Sequence, residues 1–134
     1  GRPELALEAG LQALDLRRTL LAEFAELVFR RVDILLTPML PMPVPTIVAT
    51  DVGARPEAAE VLAGIGHCSR PVNFLGLPGL SLPAGFTQSG LPASIQLVGR
   101  PYDEALLYQA GRAYERETDW PSRAPDMAWM EPAA

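Results

Sequence analysis

Apolar residues recur early in the chain at intervals of three, four or seven, at Leu7, Leu11, Leu14, Leu21, Phe24 and Val28, and no proline falls between Glu4 and Arg31. A turn of α-helix takes 3.6 residues, so this spacing puts the side chains on one stripe. The pattern predicts one long amphipathic helix over residues 4–31, with Gly10 as the place for a kink. Arg17, Arg18, Glu23, Glu26 and Arg30 occupy the other side and read as a solvated face. Arg30 and Arg31 sit where they complement the negative end of the helix dipole.

The pattern then changes. Asp33 to Thr37 is a short apolar run stopped by Pro38, which suits one buried strand of a parallel or mixed sheet. Pro38, Pro41, Pro43 and Pro45 follow closely, excluding a helix or a central strand. Because Met39, Leu40, Met42 and Val44 are interleaved with them, the segment is expected to be extended and to lie on a core. A proline-rich ligand for a recognition module is the alternative.

Glu57 to Ile65 reads as a short helix, introduced by Pro56 and ended by Gly64 and Gly66. Residues 67–76 are ambiguous. Gly79–Phe86 and Ala93–Gly99 read as two strands, joined by a polar, glycine-containing loop into an antiparallel hairpin. Asp103 is placed to cap a last helix whose buried stripe is Leu106, Leu107, Ala110, Ala113 and Tyr114. After Thr118 the chain carries Pro121, Pro125 and Pro132 and is expected to be irregular.

Composition narrows the chemistry. All 11 basic residues are arginine, against 16 acidic ones, for a formal charge of −5 over 134 residues. No lysine is present to act as nucleophile or base. The scattered arginines and acidic balance argue against direct nucleic-acid binding, which needs clustered positive charge. The single cysteine, Cys68, rules out an internal disulfide and a multi-cysteine zinc site, and suits a reducing, cytoplasmic setting. No metal-ligand spacing, cofactor motif, signal peptide or membrane span is recognised. The start at Gly1 suggests a piece of a longer polypeptide, or a processed or engineered start.

Several residues invite a catalytic reading. Gly79-Leu80-Ser81-Leu82-Pro83 falls one glycine short of the elbow that presents a serine nucleophile on a strand-to-helix turn. The only histidine, His67, would have to serve as its base. His67 and Cys68 are neighbours in sequence, and neighbouring side chains diverge on helix or strand, so they read as a packed cysteine beside a partly exposed histidine. Gly64-Ile65-Gly66 reads as a helix end. Arg100 precedes the last helix and could hold an anion there, but Asp103 already supplies a negative cap, so a structural role is expected. Asn73, among glycines and prolines, reads as satisfying peptide groups of an irregular turn, or as lining a pocket.

Four blocks together resemble a known family. Asp33–Pro38, Pro71–Gly85 (PVNFLGLPGLSLPAG), Gly90–Pro101 (GLPASIQLVGRP) and Asp103–Leu107 are similar, in order and spacing, to the C-terminal part of amidase-signature enzymes. The resemblance spans nearly the whole chain. It implies an α/β fold with a mixed sheet flanked by helices, of which residues 1–134 are a C-terminal fragment of a single domain. It implies hydrolysis of carboxylic amides through a serine acyl-enzyme, by a serine, a second serine and a lysine lying upstream and absent here. The chain alone is then expected to be inactive, with no catalytic residue, metal or cofactor of its own and a small-molecule amide as partner. In the amidotransferase A subunits of this family an acidic residue is expected seven positions before Asn73, where this chain has Gly66. That departure favours a general amidase, with an amidotransferase of that kind or a non-catalytic interaction module as alternatives. Gly66, His67 and Arg70 are the pocket-wall candidates that the resemblance implies.

Overall fold

A computed structural model describes residues 2–123. Pro3 opens the first helix, α1 (Pro3–Val28), at a position whose N–H has no partner in any helix. The helix runs unbroken through Gly10 and stops three residues before the expected Arg31. The reason lies across the chain. Phe29 turns inward, 5% exposed, and the Arg100 guanidinium donates to the carbonyls of Phe29 (2.6 Å) and Val32 (3.3 Å). Carbonyls at the helix end are satisfied there, and continuing the helix gains nothing.

Among the described residues, three strands form one sheet in the order β1 (Leu35–Pro38), β3 (Pro92–Val98), β2 (Gly79–Phe86). Both pairings are antiparallel, with Leu36 and Leu80 opposite Leu97 and with Thr37 and Ser81 opposite Gln96. β1 was expected to be buried in a parallel or mixed sheet. It is instead an antiparallel edge strand with alternate residues exposed, and Leu36 is 59% exposed. An edge position also explains why it can end in Pro38, which has no N–H to give to a neighbour. The hairpin matches the expected one and carries a bulge between Pro83 and Gly85, where Gly85 takes φ +143°.

Alternation along β3 sends successive side chains to opposite faces, and each face has its own core. Val98 packs with Phe29, Leu75 and Leu77, joined by Leu21, Phe24 and Val28 from α1 and Val72 from α3 (Ser69–Leu75). Leu97 packs on the other face with Leu82 and Leu107, the last from α4 (Glu104–Arg116). Helices therefore cover both faces of the sheet, in a mixed α/β arrangement.

Residues 67–76, ambiguous in the sequence, hold α3. Pro71 fits inside it because it lies in the first turn, where no backbone N–H is needed. Gly76 closes the helix at φ +71°, and the amides of Gly76 and Leu77 return to the carbonyl of Val72. α2 (Ala58–Ile65) ends at Gly66 as expected. The proline-rich segment between β1 and the 3-10 turn Ile47–Thr50 has no regular structure, and Met39, Leu40 and Met42 are half-buried as anticipated. Val44 is an exception, 50% exposed.

In α4, Asp103 occupies the N-cap position without a capping hydrogen bond from its side chain. Leu106, Leu107, Ala110 and Tyr114 face inward, but Ala113 is exposed, and the buried member is Gly111. A Cβ at Gly111 would lie 2.7 Å from Leu80 Cδ2. Glycine is what lets α4 settle on β2. After Thr118, residues Trp120–Ser122 make one short 3-10 turn, whereas Pro125 and Pro132 lie outside the described residues.

Candidate functional site

The three pocket-wall candidates lie where α2 meets α3, Gly66 and His67 in the turn and Arg70 in the first turn of α3, and two of them touch. Gly66 is buried although its φ of −83° suits any residue. The side chain of Arg70 lies across it: a Cβ added at Gly66 would collide with Arg70 Nε and come within 2.9 Å of Arg70 Cδ, so Arg70 would have to move aside. The guanidinium continues back to α2 and donates to the Leu62 carbonyl at 3.1 Å, while the Arg70 amide donates to the Gly66 carbonyl at 2.9 Å. Arg70 thus ties the first turn of α3 to the last turn of α2. His67 lies beside this clamp, exposed.

The other candidates separate. Cys68 is half-buried and free, and no hydrogen bond joins it to His67 among the described residues. Ser81 is exposed on edge strand β2, in the cross-strand row with Gln96 and Thr37, and not on a strand-to-helix turn. Nothing in this geometry makes Ser81 an elbow nucleophile. Gln96 is the polar residue that the sequence reading passed over. It is 5% exposed, and its Nε2 donates to Thr37 Oγ1 at 3.4 Å. Only the strand register brings those two together, although the apolar neighbours Ile95 and Leu97 already signalled that residue 96 faces a second packed surface.

Asn73 sits within α3 with an exposed side chain, so the irregular turn expected around it is a helix. Arg100 is structural, as expected, but at a different helix. It closes the C-terminal end of α1, pairs with Asp33 at 3.1 Å and lies 5.6 Å from the Phe29 ring centroid. A cation at the negative end of a helix is the favourable arrangement.

Two apolar grooves flank these elements. One, about 310 Å³, runs between the proline-rich segment and the β2–β3 hairpin, with Met39, Leu40, Met42, Ala84 and Ile95 in its walls. Met42 also reaches α2, where its Sδ would lie 2.8 Å from a Cβ at Gly64. The other, about 290 Å³, opens between α1 and α3 and is lined by Leu20, Phe24, Leu27, Pro71, Phe74 and Leu75, with Glu23 at its margin. Among the described residues, no group of three or more His, Cys, Asp or Glu side chains could hold a metal ion, and no helix is long and apolar enough to cross a membrane.

Comparison with known proteins bears on the whole arrangement. The family model described as Amidase matches residues 3–108. The glutamyl-tRNA(Gln) amidotransferase A subunit of Chloroflexus aggregans is 41% identical over 111 residues, covering 83% of this chain and 22% of that protein. The protein of the same name from Myxococcus xanthus is 44% identical over 103 residues, covering 77% of this chain and 20% of its own length. The one from Moorella thermoacetica is 39% identical over 117 residues, covering 87% and 23%. The chain thus spans about a fifth of the length of these curated relatives. Strand, hairpin and helices occur in the order of the four sequence blocks, and the family match covers all of them: the chain belongs to the amidase family.

Proposed function

We propose that the chain is the C-terminal part of an amidase that hydrolyses carboxylic amides through a serine acyl-enzyme, and that it supplies sheet and pocket wall but not the reacting groups. The observation that carries this reading is the family match over residues 3–108 in a chain without any lysine. Arginine stays protonated in proteins and is no substitute for a lysine base. The serine, second serine and lysine therefore belong to polypeptide outside these residues, in one domain with them.

The uncovered apolar surface supports the same division. Leu7, Leu11 and Leu14 share one stripe of α1 and are each more than half exposed, and an apolar face of that kind in a folded domain is normally covered. The rest of the amidase domain is the covering body.

Gly66, His67 and Arg70 border the substrate in this reading, and the substrate is a small amide other than glutamine. The resemblance places an acidic residue at position 66 in amidotransferase A subunits. Here Arg70 fills the space above Gly66 and offers a cation instead. The amidotransferase reading stays as the second one, because the relatives described above carry that name. The partner is a small molecule, with no direct nucleic-acid contact from this chain, and the setting is the cytoplasm.

Hydrolysis of aryl and aliphatic amides and of glutamine, measured for this chain alone and for the longer polypeptide containing it, tests the reading. Activity is expected only in the longer protein and on non-glutamine amides. Activity of the isolated chain that disappears in Ser81→Ala would overturn it, and preferential glutamine hydrolysis would select the second reading.

A further inference from the structure

The C-terminal half of α4 and the residues after it reach back to the hairpin. Tyr114 Oη donates to the Pro83 carbonyl at 2.9 Å, and Trp120 Nε1 donates to the same Tyr114 oxygen at 3.1 Å. One hydroxyl is thereby used as donor and acceptor at once, which fixes its orientation. The Trp120 ring meets Phe86 at 5.8 Å between centroids, and the Arg123 guanidinium lies 4.7 Å from Trp120 and 5.8 Å from Phe86. Asp119 holds that guanidinium from the side, Arg123 Nε donating to its Oδ2 at 2.8 Å.

All of these contacts fall at one place on β2. Pro83 and Phe86 bracket the bulge, the point at which the ladder slips register and is least able to hold itself. On its other side the same stretch, with Ala84 and Thr87, walls the groove whose opposite wall is Met39, Leu40 and Met42. We propose that Tyr114, Trp120 and Arg123 form a latch that holds the bulged end of the hairpin and so sets the shape of that groove. Tyr114 is the positioning residue, and Trp120 locks its hydroxyl in place.

Hydrogen–deuterium exchange on the whole protein tests the latch, comparing peptides over residues 84–95 with those over 35–38 and 69–77. Tyr114→Phe removes both hydrogen bonds at almost unchanged volume, and Trp120→Phe removes one. Because a net hydrogen bond is worth a factor of roughly two to ten in an opening equilibrium, Tyr114→Phe is expected to speed hairpin exchange roughly five- to tenfold. Trp120→Phe is expected to give a smaller rise in the same peptides, with both control peptides unchanged in both variants. Hairpin exchange at the wild-type rate in either variant would overturn the proposal. So would a rise shared equally by the control peptides, which would mark a general loss of stability and not a local latch.

Discussion

The two halves of α1 carry the same apolar period and meet opposite fates. From Leu21 to Val28 the stripe lies on the sheet, with Phe24 edge-on to Phe29 at 5.7 Å between ring centroids. From Leu7 to Leu14 it lies open, and no residue of the helix is fully buried. Period reports that a face needs a partner. It does not say whether the partner is in the same chain. The half that found one did so because Phe29 leaves the helix and enters the core, and because Arg100 and Arg17 tie the helix down. Arg17 reaches the end of α3, donating to the Leu75 carbonyl at 3.4 Å and lying against Gly76.

The contrast can be tested from its strongest point outward. Phe29→Ala removes a buried ring shared by α1, β3 and the Arg100 face, and a loss of about 3–5 kcal/mol is expected from the usual cost of such truncations. Urea denaturation measures it, and a loss below about 1 kcal/mol would mean that the packed half of α1 is not anchored there. Arg100→Ala leaves the carbonyls of Phe29 and Val32 without their donor. About 1.5–3 kcal/mol is expected, the range for hydrogen bonds to charged groups. Arg100→Lys should recover only part of it, since one ammonium cannot reproduce the forked contact.

Leu11→Ala and Leu14→Ala probe the open half. In this chain each should change stability by no more than about 0.5 kcal/mol, the usual range for surface positions. In the longer polypeptide the same changes are expected to cost at least about 1 kcal/mol, as truncations at a covered face do. Equal effects in the two settings would remove the difference between the halves.

The smallest effect concerns acid. The hydrogen bond from Arg123 holds the Asp119 carboxyl below its ordinary value of 3.8; desolvation opposes it, and the Arg123 charge adds to the lowering. A carboxyl lowered in the folded state stabilises it fully above the unfolded pKa and loses that contribution as pH falls through the folded value. The tail around Trp120 should therefore loosen only below about pH 4. Trp120 fluorescence followed down to pH 2, in a Trp129→Phe background, would show a change that Asp119→Asn removes.

Much of the fold was legible because it depends on local patterns. The glycines and the polar loop marked the β2–β3 hairpin, Gly66 marked the end of α2, and the three- and four-residue spacing marked α1 and α4. Elsewhere a local rule gave the wrong weight. Prolines and glycines around Asn73 argued for an irregular turn, but Pro71 falls in a first turn that tolerates it, leaving room for α3. Ala113 looked like a stripe residue, whereas close approach of α4 to β2 selected Gly111.

The pocket-wall candidates Gly66, His67 and Arg70 came through a family resemblance, and the contact between Gly66 and Arg70 is one that spacing does not encode. Arg70 covers Gly66 because a helix start folds back onto the preceding helix end, where the Leu62 carbonyl accepts from its guanidinium as well as from the Gly66 amide. The sequence by itself determined the α/β succession, the amidase membership and the lack of a lysine base. Tertiary structure alone decided that β1 is an edge strand, that Gln96 meets Thr37, that Arg100 closes α1 and that Tyr114 reaches Pro83. Hydrogen bonds within an element follow from nearby residues, whereas partners more than thirty positions away are chosen by how the packed faces of the sheet bring the chain together.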